Sequence, residues 1–263
     1  MTGTTPRGTS DEQAAARWVR GMFGRIAPRY DLLNHLLSFN LDKRWRARTV
    51  ERVAEILDRP DARVLDLCCG TGDVLLALET RRLGPALGRQ SVLASDFCHP
   101  MLIEARRKIA ARGFRSPVFE ADALALPLAG DSLDLITVAF GFRNLASYQR
   151  GLEEMLRVLK PGGRLVILEF SHPRTPGVRQ LYNLYLNIVA PRIGKMVSHS
   201  GEAYQYLNDS VKAFPEGKEL IRILGANGYA NTRLRRLSLG ICSIYTGEKP
   251  FPLSNAPAPL ITP

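Results

Sequence analysis

The chain has 263 residues, 45% hydrophobic and 23% charged, with four cysteines and a formal net charge of +11 at pH 7. That length and mix suit one large folded domain with a sizeable core, and exclude collagen, a coiled coil or disorder as descriptions of the whole. Charged residues interrupt every apolar stretch before the roughly 20 residues a bilayer-spanning helix needs, and the opening MTGTTPRGTSDEQ lacks the apolar centre of a secretory signal.

The expected location is therefore cytoplasmic, where thiols stay reduced. Cys68 and Cys69 are adjacent and no pair has metal-ligand spacing, so neither a metal site nor a disulfide framework is expected. The basic excess attracts something negative, either nucleic acid or an anionic membrane, and charge alone leaves both open.

Residues 1–11 are rich in Thr, Gly and Pro and are expected to be frayed. Over residues 12–58 the apolar side chains recur at helical spacing (Trp18, Met22, Ile26; the pairs Leu32/Leu33 and Leu36/Leu37; Trp45, Thr49, Val53, Ile56), with a break at Pro28. This segment is expected to form a lid. Its Arg17, Arg20, Arg25, Arg29, Lys43, Arg44, Arg46 and Arg48 also suit docking on anionic headgroups, with Trp18, Phe23 and Trp45 dipping into lipid.

From Arg63 short apolar runs alternate with helical stretches: RVLDLC, a helix over 73–82, SVLAS before Asp96, a helix over 101–112, PVFE, LDLITVA, a helix over 148–159, and RLVILEF ending at Phe170. Continuous apolar strands alternating with helices predict an α/β doubly wound, mainly parallel sheet covered on both faces. Residues 171–214 interrupt that alternation with a helical insertion, a helix follows over 215–227, and TRLRRLSL and ICSIYTG meet at Gly240 as a closing antiparallel hairpin. One domain is expected over residues 12–249, followed by a Pro-rich tail over 250–263.

The sharpest signal is the buried strand running into Cys68-Cys69-Gly70-Thr71-Gly72-Asp73. Two glycines let backbone approach a ligand closely. A second strand ends at Asp96, where a carboxylate can accept both hydroxyls of an adenosine ribose. Asp66 at the end of the first strand would repel a pyrophosphate and welcome an ammonium, and Leu75 stands where a dinucleotide fold has its third glycine. A nucleoside cofactor with a zwitterionic amino-acid end fits better than NAD.

With Asp122-Ala123 after the third strand, FGFRN after the fourth and LKPGG entering the fifth, the chain resembles class I S-adenosylmethionine-dependent methyltransferases. More closely, Ala27 to Asn34 (APRYDLLN), DLCCGTGD, Ala139 to Asn144 (AFGFRN), Leu159 to Gly163, Leu168 to Ser171 (LEFS) and Tyr204 to Leu207 (YQYL) fall in the order found in the ubiquinone/menaquinone biosynthesis C-methyltransferase family. The resemblance implies a seven-stranded sheet and S-adenosylmethionine as methyl donor. It implies cofactor contacts from Asp66, Gly70, Thr71, Gly72, Asp96, Asp122, Ala123 and Ala139, the last standing where some members carry a Ser. The implied substrate is a polyprenyl quinol methylated on a ring carbon, most closely demethylmenaquinol, with a benzoquinol as the alternative. No nucleic-acid partner is implied, since FGFRN is not the NPPY type of loop; peripheral contact with an anionic membrane and a homodimer are compatible.

A quinol hydroxyl titrating near 10, like tyrosine, is ionised to about one part in a thousand at neutral pH. Carbon attack on a sulfonium needs that phenolate, and a guanidinium nearby favours it. Arg143 is accordingly expected to stabilise the phenolate and Asn144 to orient the ring, while the proton goes to water, Tyr30 or His172. Phe140, Phe142, Tyr204 and Tyr206 are candidate walls of the ring pocket.

Overall fold

The computed structural model describes residues 3–82, 91–189, 192 and 201–252. Seven strands form one sheet in the order β3-β2-β1-β4-β5-β7-β6: β1 (Val64–Leu67), β2 (Leu93–Asp96), β3 (Val118–Glu120), β4 (Leu133–Ala139), β5 (Leu159–Phe170), β6 (Ala230–Leu237) and β7 (Cys242–Glu248). The first five pair parallel, and β7 joins β5 and β6 antiparallel. The expected closing hairpin is present.

Side chains alternate across the sheet and divide the core in two. Leu65, Leu67, Leu165 and Ile167 pack on one face under α7 (Tyr148–Val158) and α10 (Lys218–Ala226). Val64, Val166 and Leu168 pack on the other face with Trp45 and Val50 of α3 (Leu41–Glu51), Ile56 and Leu57 of α4 (Ala54–Leu57), Leu75 and Leu78 of α5 (Asp73–Arg82) and Ile109 of α6 (His99–Ala111). Strand β5 begins earlier than the sequence predicts, because Leu159 already pairs with Leu133 ahead of a register shift, drawing LKPGG into the strand.

The N-terminal segment forms α1 (Glu12–Ile26), a 3₁₀ turn over Ala27–Arg29 at the expected break, and α2 (Tyr30–Leu37). Asp11 caps α1 by accepting a 2.7 Å hydrogen bond from the Ala14 amide. Residues 3 and 4 are docked where fraying was expected: their amides donate to Ala146 and Leu145 carbonyls at 3.2 and 2.8 Å. The insertion comprises α8 (Pro176–Leu184), a π-helical turn over Tyr185–Val189 and α9 (Gly201–Ala213). Residues 253–263 of the Pro-rich tail lie outside the described residues.

The strand order reverses between β1 and β4, so the loops leaving their carboxyl ends diverge and open a crevice. Both the glycine turn and FGFRN border it.

Candidate active site

A cleft at the carboxyl ends of β1 to β4 is lined by Gly70, Asp96, Asp122, Ala123, Ala139 and Asn144, with Ala16, Phe23 and Tyr30 of the N-terminal helices closing it from above. Gly70 has φ +55°, a left-handed conformation that an L side chain holds under strain, which explains glycine at the turn. The carboxylate of Asp96 accepts the Gly70 and Cys98 amides, both at 2.9 Å. Burial nevertheless pushes its pKa up to about 6. Beneath the cleft, Asp66 is 1% exposed; its Oδ1 accepts the Thr137 hydroxyl at 2.8 Å, while Oδ2 is buried without a partner. Burial raises this carboxyl to about 7.

Two residues of the turn stand apart from the lining. Thr71 donates its hydroxyl to Asp31 of α2, and Gly72 backs onto α6, where a Cβ would come 3.3 Å from that of Ala105. Both contacts seat the turn on its neighbours.

A second cavity of about 460 Å³ lies on the other side of Phe23, Tyr30 and Phe140, which line both. Its walls are mainly apolar, with Leu33, Leu37, Leu41 and Phe170 among them, and it has two buried cations, Arg143 and an Arg46 that is paired with Asp42 at 2.6 Å and Asp73 at 3.0 Å. The Arg143 Nη1 donates to both oxygens of Glu169 at 3.0 Å and to the Phe140 carbonyl at 2.6 Å, and the guanidinium carbon sits 5.3 Å from the centre of the Phe170 ring. Its Nε has no partner. Burial opposes the Arg143 charge, but the Glu169 carboxylate more than offsets this and raises the guanidinium pKa; burial likewise raises that of Glu169.

Asn144 is fixed from both ends, donating to the Phe140 carbonyl at 3.3 Å and accepting the Tyr206 hydroxyl at 3.0 Å. Tyr206 also meets the Thr4 hydroxyl at 2.9 Å, which is why the docked N-terminus matters to the site. Burial raises the Tyr30 pKa, so its hydroxyl keeps its proton.

Several expectations need correction. Phe142 is fully buried in the core, stacked 5.3 Å from Tyr148, and lines neither cavity. His172 lies 3.5 Å from Glu216 and lines a surface depression and neither cavity, with its ring 6.0 Å from that of Tyr182 in the apolar cavity wall. Trp45 is 3% exposed with its indole N–H on Ser238, Trp18 packs 5.0 Å from the Tyr206 ring and Phe23 lies 5.9 Å from that of Tyr30, so these rings face inward and not toward lipid. The Tyr204 side chain lies outside the described residues.

Sequence reasoning missed Glu169. An acid inside the apolar run VILEF is itself a signal, because a charge in a buried strand requires a buried partner.

FGFRN is held against the glycine turn at Gly141, where a Cβ would fall 2.4 Å from that of Cys68. Gly141→Ala is expected to destabilise the protein by about 1–3 kcal/mol and to weaken cofactor binding by displacing the loop. Thermal unfolding with and without S-adenosylmethionine measures both effects.

The ubiE/COQ5 methyltransferase family model matches residues 9–249. The chain belongs to that family. It is 45% identical to demethylmenaquinone methyltransferase of Thermus thermophilus over 87% of this chain and all of that protein. It is 43% identical to the Deinococcus radiodurans protein of the same name, over 95% of this chain and all of that one. It is also 43% identical to ubiquinone/menaquinone biosynthesis C-methyltransferase UbiE of Geobacter sulfurreducens, over 88% of each chain. In fold it matches a SAM-dependent methyltransferase from Thermotoga maritima with a TM-score of 0.60 at 17% identity, over 87% of this chain and 98% of that one. The chain is a C-methyltransferase with S-adenosylmethionine as methyl donor.

Proposed function

We propose that the protein methylates a ring carbon of a reduced polyprenyl quinone, with demethylmenaquinol as its substrate. The observation that carries this reading is the pair of cavities that share the aromatic side chains of Phe23, Tyr30 and Phe140: a cleft with carboxylates suited to a nucleoside on one side, an apolar chamber on the other. Relatives at 45% and 43% identity named demethylmenaquinone methyltransferase favour the naphthoquinol over the benzoquinol. With labelled S-adenosylmethionine, label should enter demethylmenaquinol, less should enter a benzoquinol and none should enter RNA. Cofactor binding without label in either quinol would overturn the proposal.

The cofactor supplies an electrophilic methyl group on a sulfonium. In this reading Asp96 accepts the ribose hydroxyls, Asp122 and Ala123 flank the adenine, the Gly70 backbone admits the methionine portion, and the orphaned Asp66 Oδ2 answers its ammonium. Ala139 offers no hydroxyl to the cofactor.

On the substrate side, Arg143 and the protonated Tyr30 hydrogen-bond the quinol oxygens; Asn144, expected to orient the ring, instead lines the nucleoside cleft and steadies the Phe140 carbonyl between the two cavities. Because Glu169 shares the guanidinium charge, Arg143 acts chiefly through directed N–H groups, which favour the phenolate over the phenol. With Tyr30 kept protonated and His172 outside the cavity lining, water is the acceptor of the hydroxyl proton.

Cofactor affinity is expected to depend on pH. Burial pushes Asp96 up to about 6 and Asp66 up to about 7, above the 3.8 of a solvated aspartate, so each favours its protonated form in the free protein. Ribose hydroxyls and an ammonium favour the ionised forms, so affinity climbs as pH rises through this window and levels off above it. The free protein behaves oppositely: the stability these groups contribute is complete below pH 3.8 and is lost as pH rises through about 6 and about 7. Calorimetric titration across the window measures the binding slope, and affinity independent of pH would contradict these contacts.

A polyprenyl substrate resides in the bilayer, since one isoprene unit contributes roughly 4 kcal/mol at about 0.8 kcal/mol per buried CH₂-sized group. In this reading the protein meets its substrate at a membrane surface.

A further inference from the structure

We infer that the outer face formed by α2, the turn after it and α8 is the surface on which the protein sits on an anionic bilayer, and that the polyprenyl chain enters the apolar cavity through it. This rests on the polyprenyl-quinol reading and adds the place of contact. Among the described residues nine large apolar side chains stand exposed, and six of them belong here: Leu32, Leu36 and Phe39 from α2 and its turn, Leu181, Leu184 and Ile188 from α8 and the π-helical turn. Apolar side chains left singly on a surface need no explanation, but a cluster does.

The two stripes meet in space. The Tyr185 hydroxyl donates to the Leu37 carbonyl at 2.6 Å, and the Phe39 and Tyr185 rings lie 5.6 Å apart. Phe39, Leu181 and Leu184 line the cavity as well as being exposed, so the patch forms its rim. A chain longer than the cavity therefore leaves it across this face.

Charge selects a membrane as the occupant. Between Pro176 and Val189 there is no acid, and Arg179 stands exposed, as do Arg192 beyond the π-helical turn and Lys43 and Arg44 on α3. The acid of α2, Asp31, is engaged by Lys108 at 2.8 Å and by the Thr71 hydroxyl. Apolar side chains flanked by cations are the composition of a surface lying in the headgroup layer of an anionic membrane. No helix among the described residues is long and apolar enough to cross one. The basic α1 helix, by contrast, turns Trp18 and Phe23 inward.

The test uses Leu32→Gln, Leu36→Gln and Ile188→Gln together, since all three are exposed and none lines a cavity. Flotation is measured with vesicles of phosphatidylcholine alone and of phosphatidylcholine with phosphatidylglycerol, beside turnover of a short-tailed quinol dispersed in water. The parent should bind the anionic vesicles preferentially, and the triple variant should bind about tenfold more weakly or worse, with unchanged turnover of the short-tailed quinol. Equal binding by parent and variant, or no binding by the parent, overturns the inference. So does a parent dimer that the triple variant dissolves without effect on vesicles, which would make a second copy the occupant. A parent that binds vesicles but leaves the short-tailed quinol unmethylated would sink the quinol reading, while flotation still decides the face.

Discussion

Arg143→Lys is expected to lower kcat by about 10²–10³ while leaving the affinity for S-adenosylmethionine nearly unchanged, the range typical of removing one oriented donor from a developing oxyanion. The charge survives, so a loss on this scale would come from geometry. In the parent, Nη1 is saturated by both Glu169 oxygens and the Phe140 carbonyl, which leaves the rest of the planar fork for substrate. A lysine ammonium is a compact donor that can satisfy Glu169 but cannot keep that bridge and present a second, coplanar donor to a quinol oxygen. Steady-state kinetics on demethylmenaquinol separates kcat from the two KM values, and a variant turning over at the parental rate would remove Arg143 from the chemistry.

The second large effect is on stability. Glu169→Ala is expected to destabilise the fold by about 3–5 kcal/mol, because it strands the Arg143 charge in a site where the arginine is 5% exposed. Glu169 also accepts the Arg143 and Phe170 amides at 3.3 and 3.1 Å, so the strand-to-loop junction loosens with it. Replacing both partners, as Arg143→Met with Glu169→Leu, is expected to recover much of the stability without recovering activity. Urea unfolding of the two single variants and the double one gives the coupling. A loss below about 1 kcal/mol for Glu169→Ala would mean that the ion pair is not what holds FGFRN in place.

These effects turn on a contact between FGFRN and LEFS, and both motifs were legible. Their partnership was not, because nothing local in the sequence says which acid in one strand answers which arginine in a distant loop. The strands and helices of the sheet were legible for the opposite reason: their signal is local periodicity. The helix expected over 73–82 forms as Asp73–Arg82, and β4 forms as Leu133–Ala139. Asp96 was also readable, since a carboxylate ending the second strand has one exit, into the crevice. Thr71 and Gly72 were harder, because a glycine turn presents some residues to the ligand and others to its supporting helix, and only packing against Asp31 and Ala105 distinguishes them. The aromatic residues of the N-terminal helices misled for a similar reason. A lid closing over an aromatic-lined site and a helix lying on lipid need the same amphipathic composition, so Trp18 and Phe23 read alike in both settings.

The most direct measurement is a crystal structure of the protein with S-adenosylhomocysteine and demethylmenaquinol. The ring is predicted to lie between Tyr30, Phe140 and Arg143, with its nucleophilic carbon in line with the sulfur and about 3–3.5 Å from the position the methyl group would occupy. A ring bound elsewhere, or a sulfur walled off from the apolar cavity by Phe140 and Tyr30, would contradict methyl transfer across that junction.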